Sequence, residues 1–272
     1  MYVNTTVFFD EKIKVQLKGL VFEGDNMTEA CYNIIEKREI PEVNCLVAGF
    51  PGNGLIGGIA SEQLINTLEL EQVASLDCDE FPPTAVIFDG VPRRPVRFFA
   101  GKGFLLVKSD MVIPPHLSVK LAESILDFAN DRGIEDVIIF DGIPERDDSE
   151  EENKIWGVVS SHAAEDAAHE LKVELIKRGA IAGMSSSLLL EANERDMTAV
   201  GLLAEGSTRM PDPRAAAKLL EKFAEYRDIE IETDSLIESA EQLEEEFAQL
   251  VQQTKQTQSD LESRSAQPPL YG

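Results

Sequence analysis

The sequence predicts an α/β protein, a three-layer α/β/α sandwich around a mixed sheet, with an appended C-terminal helix and a flexible tail. Three observations lead there. Short apolar runs of the buried-strand type alternate with stretches of helical apolar spacing through most of the chain. Between residues 73 and 113 that alternation gives way to strand-like runs joined by Pro and Gly clusters. These joints are too short for helical crossovers, so that part of the sheet is antiparallel. From about residue 233 onward the pattern is lost, and only a narrow apolar seam and then a polar stretch remain.

Taken in order, residues 1–24 alternate polar and apolar side chains in VFFDEKIKVQLKGLVF and read as one or two strands. Asn26-Met27-Thr28-Glu29 opens a short helix to about Glu36, capped by Asn26 or Thr28. Asn44 to Gly49 is a short apolar run of the buried-strand type; a glycine-rich turn follows, then LIGGIASEQLINTL at helical spacing. Val73–Leu76, Thr84–Phe88, Val96–Phe99 and Phe104–Val107 are the hairpin strands. Ser118–Asp131 is an amphipathic helix built on Leu121, Ile125, Leu126 and Phe128, and Asp136–Asp141 is a buried strand. Arg146 to Glu152 is a solvated acidic loop. Ile155–Ser160 reads as a strand and Ser161–Arg178 as a helix, whole or broken once. A helix over Ser186–Asn193 lies between Ile181-Ala182-Gly183-Met184 and the run Ala199 to Ala204. Pro211-Asp212-Pro213 starts a helix over Arg214–Arg227, with Pro213 suited to the first turn. Leu236, Ala240, Leu243, Phe247 and Leu250 form a short seam that packs on the domain or on a second copy. The expected organisation is a core over 1–232, a helix over 233–252 and a tail over 253–272.

Composition narrows the function. Fifty acidic residues against 25 basic ones give a net charge of −25, a field that repels phosphate backbones and anionic lipid. Nucleic acid and membrane surfaces are therefore not expected partners. The three cysteines, Cys31, Cys45 and Cys78, form no C-x-x-C pair, so neither a disulfide framework nor a zinc knuckle is expected. MYVNTTVFFDEKIKV shows no export pattern, and no apolar run reaches the length of a membrane span, so a cytoplasmic location is expected.

Gly52-Asn53-Gly54-Leu55-Ile56-Gly57 matches G-x-G-x-x-G between a strand and a helix, and Asp77 lies where a ribose-binding acid belongs. That spelling makes Gly52, Asn53, Gly54 and Gly57 a possible ligand turn. It supports an alternative reading of the chain as a nucleotide- or phosphate-binding enzyme of ligase, hydrolase or phosphorylase type. Pro51 inside the turn, the missing Lys and the hairpins after Asp77 favour a second reading, in which the glycines allow close strand–helix packing. No cofactor and no catalytic residue is assigned.

Other sites are weaker. His162, Glu165, Asp166 and His169 share one face of the expected helix, as a metal site or as a plain polar face. No metal is assigned. Ser185-Ser186-Ser187 lacks the frame of a nucleophile elbow and reads as a helix cap. Arg93, Arg94 and Arg97 are the densest basic patch, for an anion or an acidic protein surface, or as a solvated turn. Asp147 to Glu152 lacks the glycine and spacing of a calcium loop.

The chain finishes on Pro268-Pro269-Leu270-Tyr271-Gly272. Leucine, tyrosine and a free carboxylate at the end of a polar tether suit capture in a pocket that carries a cation. These residues resemble the hydrophobic–tyrosine–any-residue signature with which proteasome activators and assembly chaperones enter pockets between α-subunits of the core particle. That resemblance implies partner-binding roles for Leu270, Tyr271 and Gly272: Leu270 fills the apolar part, Tyr271 packs and hydrogen-bonds, and the Gly272 carboxylate meets a lysine.

Gly49-Phe50-Pro51-Gly52-Asn53-Gly54-Leu55-Ile56-Gly57 resembles the signature turn of the proteasome assembly chaperone 2 family. Phe81-Pro82-Pro83, Gly142, Ile181-Ala182-Gly183-Met184 and Pro211-Asp212-Pro213-Arg214-Ala215-Ala216 follow in that family's order. The chain departs from the family at Asp141-Gly142, where Gly-Gly is common. The resemblance implies a phosphorylase- and hydrolase-like α/β/α fold, homo-oligomers (here a tetramer), and no enzymatic activity. It further implies ATP-independent binding to the proteasome core particle, as an archaeal-type assembly chaperone or gate-opening activator.

Overall fold

A computed structural model of the chain describes residues 32–145, 153–208 and 210–242. In chain order its elements are β1 (Tyr32–Glu36), β2 (Cys45–Gly49), α1 (Ile56–Leu68), β3 (Glu71–Cys78), β4 (Val86–Phe88), β5 (Val91–Arg93), β6 (Val96–Gly101) and β7 (Phe104–Ser109). There follow α2 (Ser118–Asn130), β8 (Asp136–Pro144), β9 (Ile155–Val159), α3 (Glu165–Glu170), β10 (Glu174–Leu175), α4 (Met184–Glu194), β11 (Thr198–Gly206) and α5 (Pro213–Arg227).

Nine of these strands join in one mixed sheet of order β1-β3-β6-β7-β2-β8-β11-β9-β10. Its centre is a parallel block, β7-β2-β8-β11. Antiparallel strands flank the block: β6, β3 and β1 on one side, β9 on the other. The central strands are apolar runs, as expected where helices cover both faces of a sheet. Successive residues of each strand point to opposite layers. Leu46, Ala48, Leu105, Val107, Val137 and Ile139 meet the layer that contains α2 and α4. Cys45, Val47, Phe104, Leu106, Ile138 and Phe140 meet the layer that contains α1, α3 and α5. The expected α/β/α sandwich around a mixed sheet is the fold found.

Helix α5 shows how local sequence and packing agree. Asp212 caps it by accepting a hydrogen bond from the Ala215 amide at 3.0 Å, and Pro213 occupies the first turn. Phe223 then packs its ring 5.5 Å from Phe104 and 5.2 Å from Phe140, centre to centre. The chain continues into helical residues 234–242, whose Leu236 joins the same layer. Gln63 on α1 donates to the Glu232 carbonyl at 2.6 Å, beside this junction. The start of the apolar seam therefore lies on its own domain. Leu243, Phe247 and Leu250, the N-terminal segment 1–31, the acidic loop 146–152 and the tail 253–272 lie outside the described residues.

Two expectations need correction. Residues 32–36 are strand β1, not the end of a helix. Tyr32, Ile34 and Ile35 are aromatic and β-branched, and pairing with β3 suits them better than a helical turn. The region 161–178 is not one long helix. A 3-10 turn at His162–Ala164 leads into the six residues of α3, and Lys172 stops the chain with a left-handed backbone (φ 52°). Val173 then packs inward, and Glu174–Leu175 pair in parallel with β9. Strand β8 also runs three residues past Asp141, to Pro144.

Two neighbouring glycines of α1 have opposite roles. A Cβ on Gly57 would lie 2.3 Å from the Phe140 carbonyl oxygen, whereas one on Gly58 would meet nothing within 4 Å. Gly57→Ala should therefore lower unfolding stability by about 1–3 kcal/mol through overpacking. Gly58→Ala should raise it by roughly 0.5–1 kcal/mol through helix propensity. Urea denaturation of both variants checks the pair; equal shifts would refute the packing argument.

Candidate functional site

The four parallel strands end along one edge of the sheet, where α/β sheets hold their ligands. That edge brings together the glycine turn after β2, Lys108 to Asp110 at the end of β7, Asp141-Gly142 on β8, and Glu205-Gly206 on β11. The turn is tied to its neighbours. Asn53 donates from Nδ2 to the Gly206 carbonyl at 3.3 Å, and the Gly54 carbonyl accepts from the Asp212 amide at 2.9 Å. Asp212 also accepts from the Ser207 amide at 2.8 Å through its carboxylate, so one residue, by its amide and its side chain, links the turn, the end of β11 and the cap of α5. Gly54 takes φ +60°, a backbone that favours glycine.

What faces the glycines is oxygen. A Cβ on Gly52 would lie 2.4 Å from Asp141 Oδ1, and one on Gly142 would lie 2.4 Å from the Asn53 carbonyl. With Gly57 against the Phe140 carbonyl, the glycines are used for backbone approach between the turn, α1 and β8. Carboxylate and carbonyl oxygens are acceptors, and they repel the oxygens of a phosphate. Asp77 is not near: β3, which carries it, lies three strand positions from β2, about 14 Å at ordinary strand spacing. There it pairs with Arg94 at 2.6 Å. The geometry of Gly52, Asn53, Gly54 and Gly57 thus favours the packing reading over a phosphate cradle.

Asp141 is the least expected group. It accepts from its neighbour Gly142 N at 2.8 Å through Oδ1 and from the Ser185 hydroxyl through Oδ2. Burial pushes its carboxyl above the usual range, and those two hydrogen bonds oppose the shift without cancelling it. Ser185 sits in the first turn of α4, so this contact fastens the helix to the end of β8. The serines do not cap α4 with their side chains. Its N-cap is Gly183, and Ser186 and Ser187 donate back to the Gly183 carbonyl at 2.9 and 3.3 Å. Asp141 was legible only as an acid ending an apolar run.

A second cluster was missed. Lys108 ends the apolar run of β7, and its side chain is 6% exposed, its ammonium held between Glu62 and Asp110 at 2.9 Å from Asp110. Arg97 meets the other oxygen of Asp110 at 2.5 Å. Burial raises the Asp110 carboxyl, but the hydrogen bonds from Lys108 and Arg97 outweigh it and hold the group below the usual range. This network floors a cleft of about 490 Å³ walled by Pro51, Leu55, Ile59, Val86, Phe88 and Val112.

The three arginines are thereby divided. Arg97 is buried in that floor, while Arg94 and Arg93 stand at the root of the β4–β5 hairpin. His162 pairs with Glu165 in the open, and no group of three or more His, Cys, Asp or Glu suited to a metal occurs among the described residues. Likewise, no described helix is long and apolar enough to cross a membrane. The Cys45 thiol is pushed up to about 12 by burial and is unsuited to act as a nucleophile. Leu270, Tyr271 and Gly272 lie outside the described residues.

Asp141 provides a pH test. Its folded pKa lies above its unfolded one, so its contribution is fully present below about pH 3.9 and is lost as pH rises through the folded value. Wild type should therefore lose stability relative to Asp141→Asn between acid and neutral pH. Parallel stability–pH curves for the two proteins would contradict the buried-carboxyl assignment.

Comparison with known proteins agrees with this fold. Residues 46–251 match the model of the PAC2 family. The uncharacterized protein MJ0106 of Methanocaldococcus jannaschii is 32% identical over 222 residues, covering 80% of this chain and 90% of its own. The crystal structure of Pyrococcus furiosus PbaA, an archaeal homolog of proteasome-assembly chaperone, superposes with a TM-score of 0.74 at 28% identity. It covers 86% of this chain and 97% of that one. Pyrococcus furiosus PbaB, an archaeal proteasome activator, shares the fold with a TM-score of 0.71 at 24% identity, over 80% of this chain and 98% of its own. The sheet flanked by two helical layers is thus the fold of PbaA, and the chain belongs to the PAC2 family.

Proposed function

We propose that this protein binds the proteasome core particle without ATP, as an assembly chaperone homologue or activator, by inserting Leu270-Tyr271-Gly272 into pockets between α-subunits. The observation that carries this reading is the relation to PbaA, a homolog of proteasome-assembly chaperone, which extends over 86% of the chain. Two features support it. The sequence places leucine, tyrosine and a terminal carboxylate after a polar tether, the chemistry a cation-bearing apolar pocket recognises. And the glycine turn, where a phosphate ligand would sit in the enzyme reading, is faced by acceptor oxygens.

A homo-oligomer, read here as a tetramer, displays several tails to one ring. Each tail docks weakly, but the second and later events are intramolecular, and the effective concentration makes the whole tight. Seating the carboxylates in the ring pockets then opens the axial gate.

Removing Tyr271 and Gly272 should abolish core-particle capture in a pull-down and the accompanying rise in peptide hydrolysis, while far-UV circular dichroism stays unchanged. Addition of ATP should alter neither result. Full capture by the shortened chain would reject the docking mechanism.

A further inference from the structure

The β4–β5 hairpin projects from the molecule without a core of its own. Its strands pair with each other and not with the nine-stranded sheet. The turn is well specified: Asp89 (φ 50°) and Gly90 (φ 76°) both have the left-handed backbone of a type I′ turn. Yet Phe88, Ile87 and Val91 are 55%, 64% and 50% exposed. Directly paired residues share a face, so Phe88 and Val91 lie together on one side and Ile87 on the other. Both faces are therefore apolar and wet. An isolated two-stranded hairpin is marginal in water, and large apolar side chains on both faces mark a contact surface.

Beside it lies the complement. Val86 and Phe88 form one wall of the 490 Å³ cleft, and Leu55 and Val112, themselves exposed, stand among its other walls. The hairpin root carries Arg93 and Arg94. The field of these two and Arg97 acts on Lys37, whose ammonium is held below its usual range by burial first and then by the three arginines. Four basic side chains thus lie near one another on a chain with 50 acidic and 25 basic residues, two of them, Arg94 and Arg97, already paired with Asp77 and Asp110.

We propose that the hairpin and its cleft are the self-association surface of this protein, the Ile87–Val91 tip of one copy seating in the Leu55–Val112 cleft of a second. A second copy is the fitting occupant for two reasons. The same face of the same chain carries both an apolar projection and an apolar recess. Arg94 and Arg97 are already paired with Asp77 and Asp110, but Arg93 at the hairpin root can meet an acidic side chain of the second copy, which a chain of net charge −25 supplies. The inference rests on the homo-oligomer reading above and names its surface.

Sedimentation velocity of the full chain across a concentration series tests it. Wild type should self-associate, and a Phe88→Glu, Val91→Glu double variant should need about 100-fold higher concentration to do so, since two large apolar contacts are lost. Circular dichroism of the variant should match wild type, because neither side chain belongs to the core. Hydrogen exchange on wild type gives a second measurement that needs no variant: amides of residues 86–93 should gain protection as concentration rises. A wild type that is monomeric throughout would overturn both this surface and the homo-oligomer reading. A double variant that associates like wild type, or exchange at 86–93 that ignores concentration, would overturn the surface alone. So would a variant that keeps its oligomer and loses the core particle, because the hairpin would then face that partner.

Discussion

Contact of backbone on backbone at the ends of β2 and β8 is the constraint on which this structure depends. Helix α1 starts where the Gly57 Cα rests against the Phe140 carbonyl, and the turn before it closes on Gly142 through the Asn53 carbonyl. A side chain at either position would lift the helix and the turn away from the sheet. The two layers would then lose their register, because α1 is packed in turn on α5, and α5 on Phe104 and Phe140. Asp212 reinforces the arrangement from the other side by linking Gly54, Ser207 and Ala215.

The same constraint explains how a turn spelled like a dinucleotide fingerprint can have another use. In a nucleotide fold the glycines clear a path for a pyrophosphate. Here they clear a path for protein oxygens. Asp141 puts a carboxyl beside Gly52 and ties it to Ser185. This edge is a fastening point between β8, α1 and α4.

The layers and most elements were legible because the central strands are long enough apolar runs to be recognised and α1, α2 and α5 keep helical spacing. The β6–β7 hairpin was legible from its glycines, but Val91–Arg93, read as part of a connection, is strand β5 paired with β4. What was not legible depended on distant partners. Residues 32–36 carry an ambiguous local pattern, and only pairing with β3 makes them a strand. The run 161–178 is rich in alanine and charge, which suits a helix, yet burial of Val173 and a free edge on β9 draw its second half into the sheet. The Lys108–Asp110–Arg97–Glu62 network joins four residues from three places in the chain, and no spacing rule announces it. The Asp77 position illustrates the opposite failure. Its distance along the chain was right for a ribose ligand, and the strand order carried it away.

The position of β2 also bears on how the chain is made. This strand lies at the heart of the sheet, but its neighbour β8 begins at Asp136, opposite Cys45, some 90 residues later. At ordinary synthesis rates the ribosome takes about 5–20 s to cover that distance. Through that interval one edge of a wholly apolar strand has no partner. Until β8 emerges, that bare edge can pair with the wrong strand, its own or another chain's.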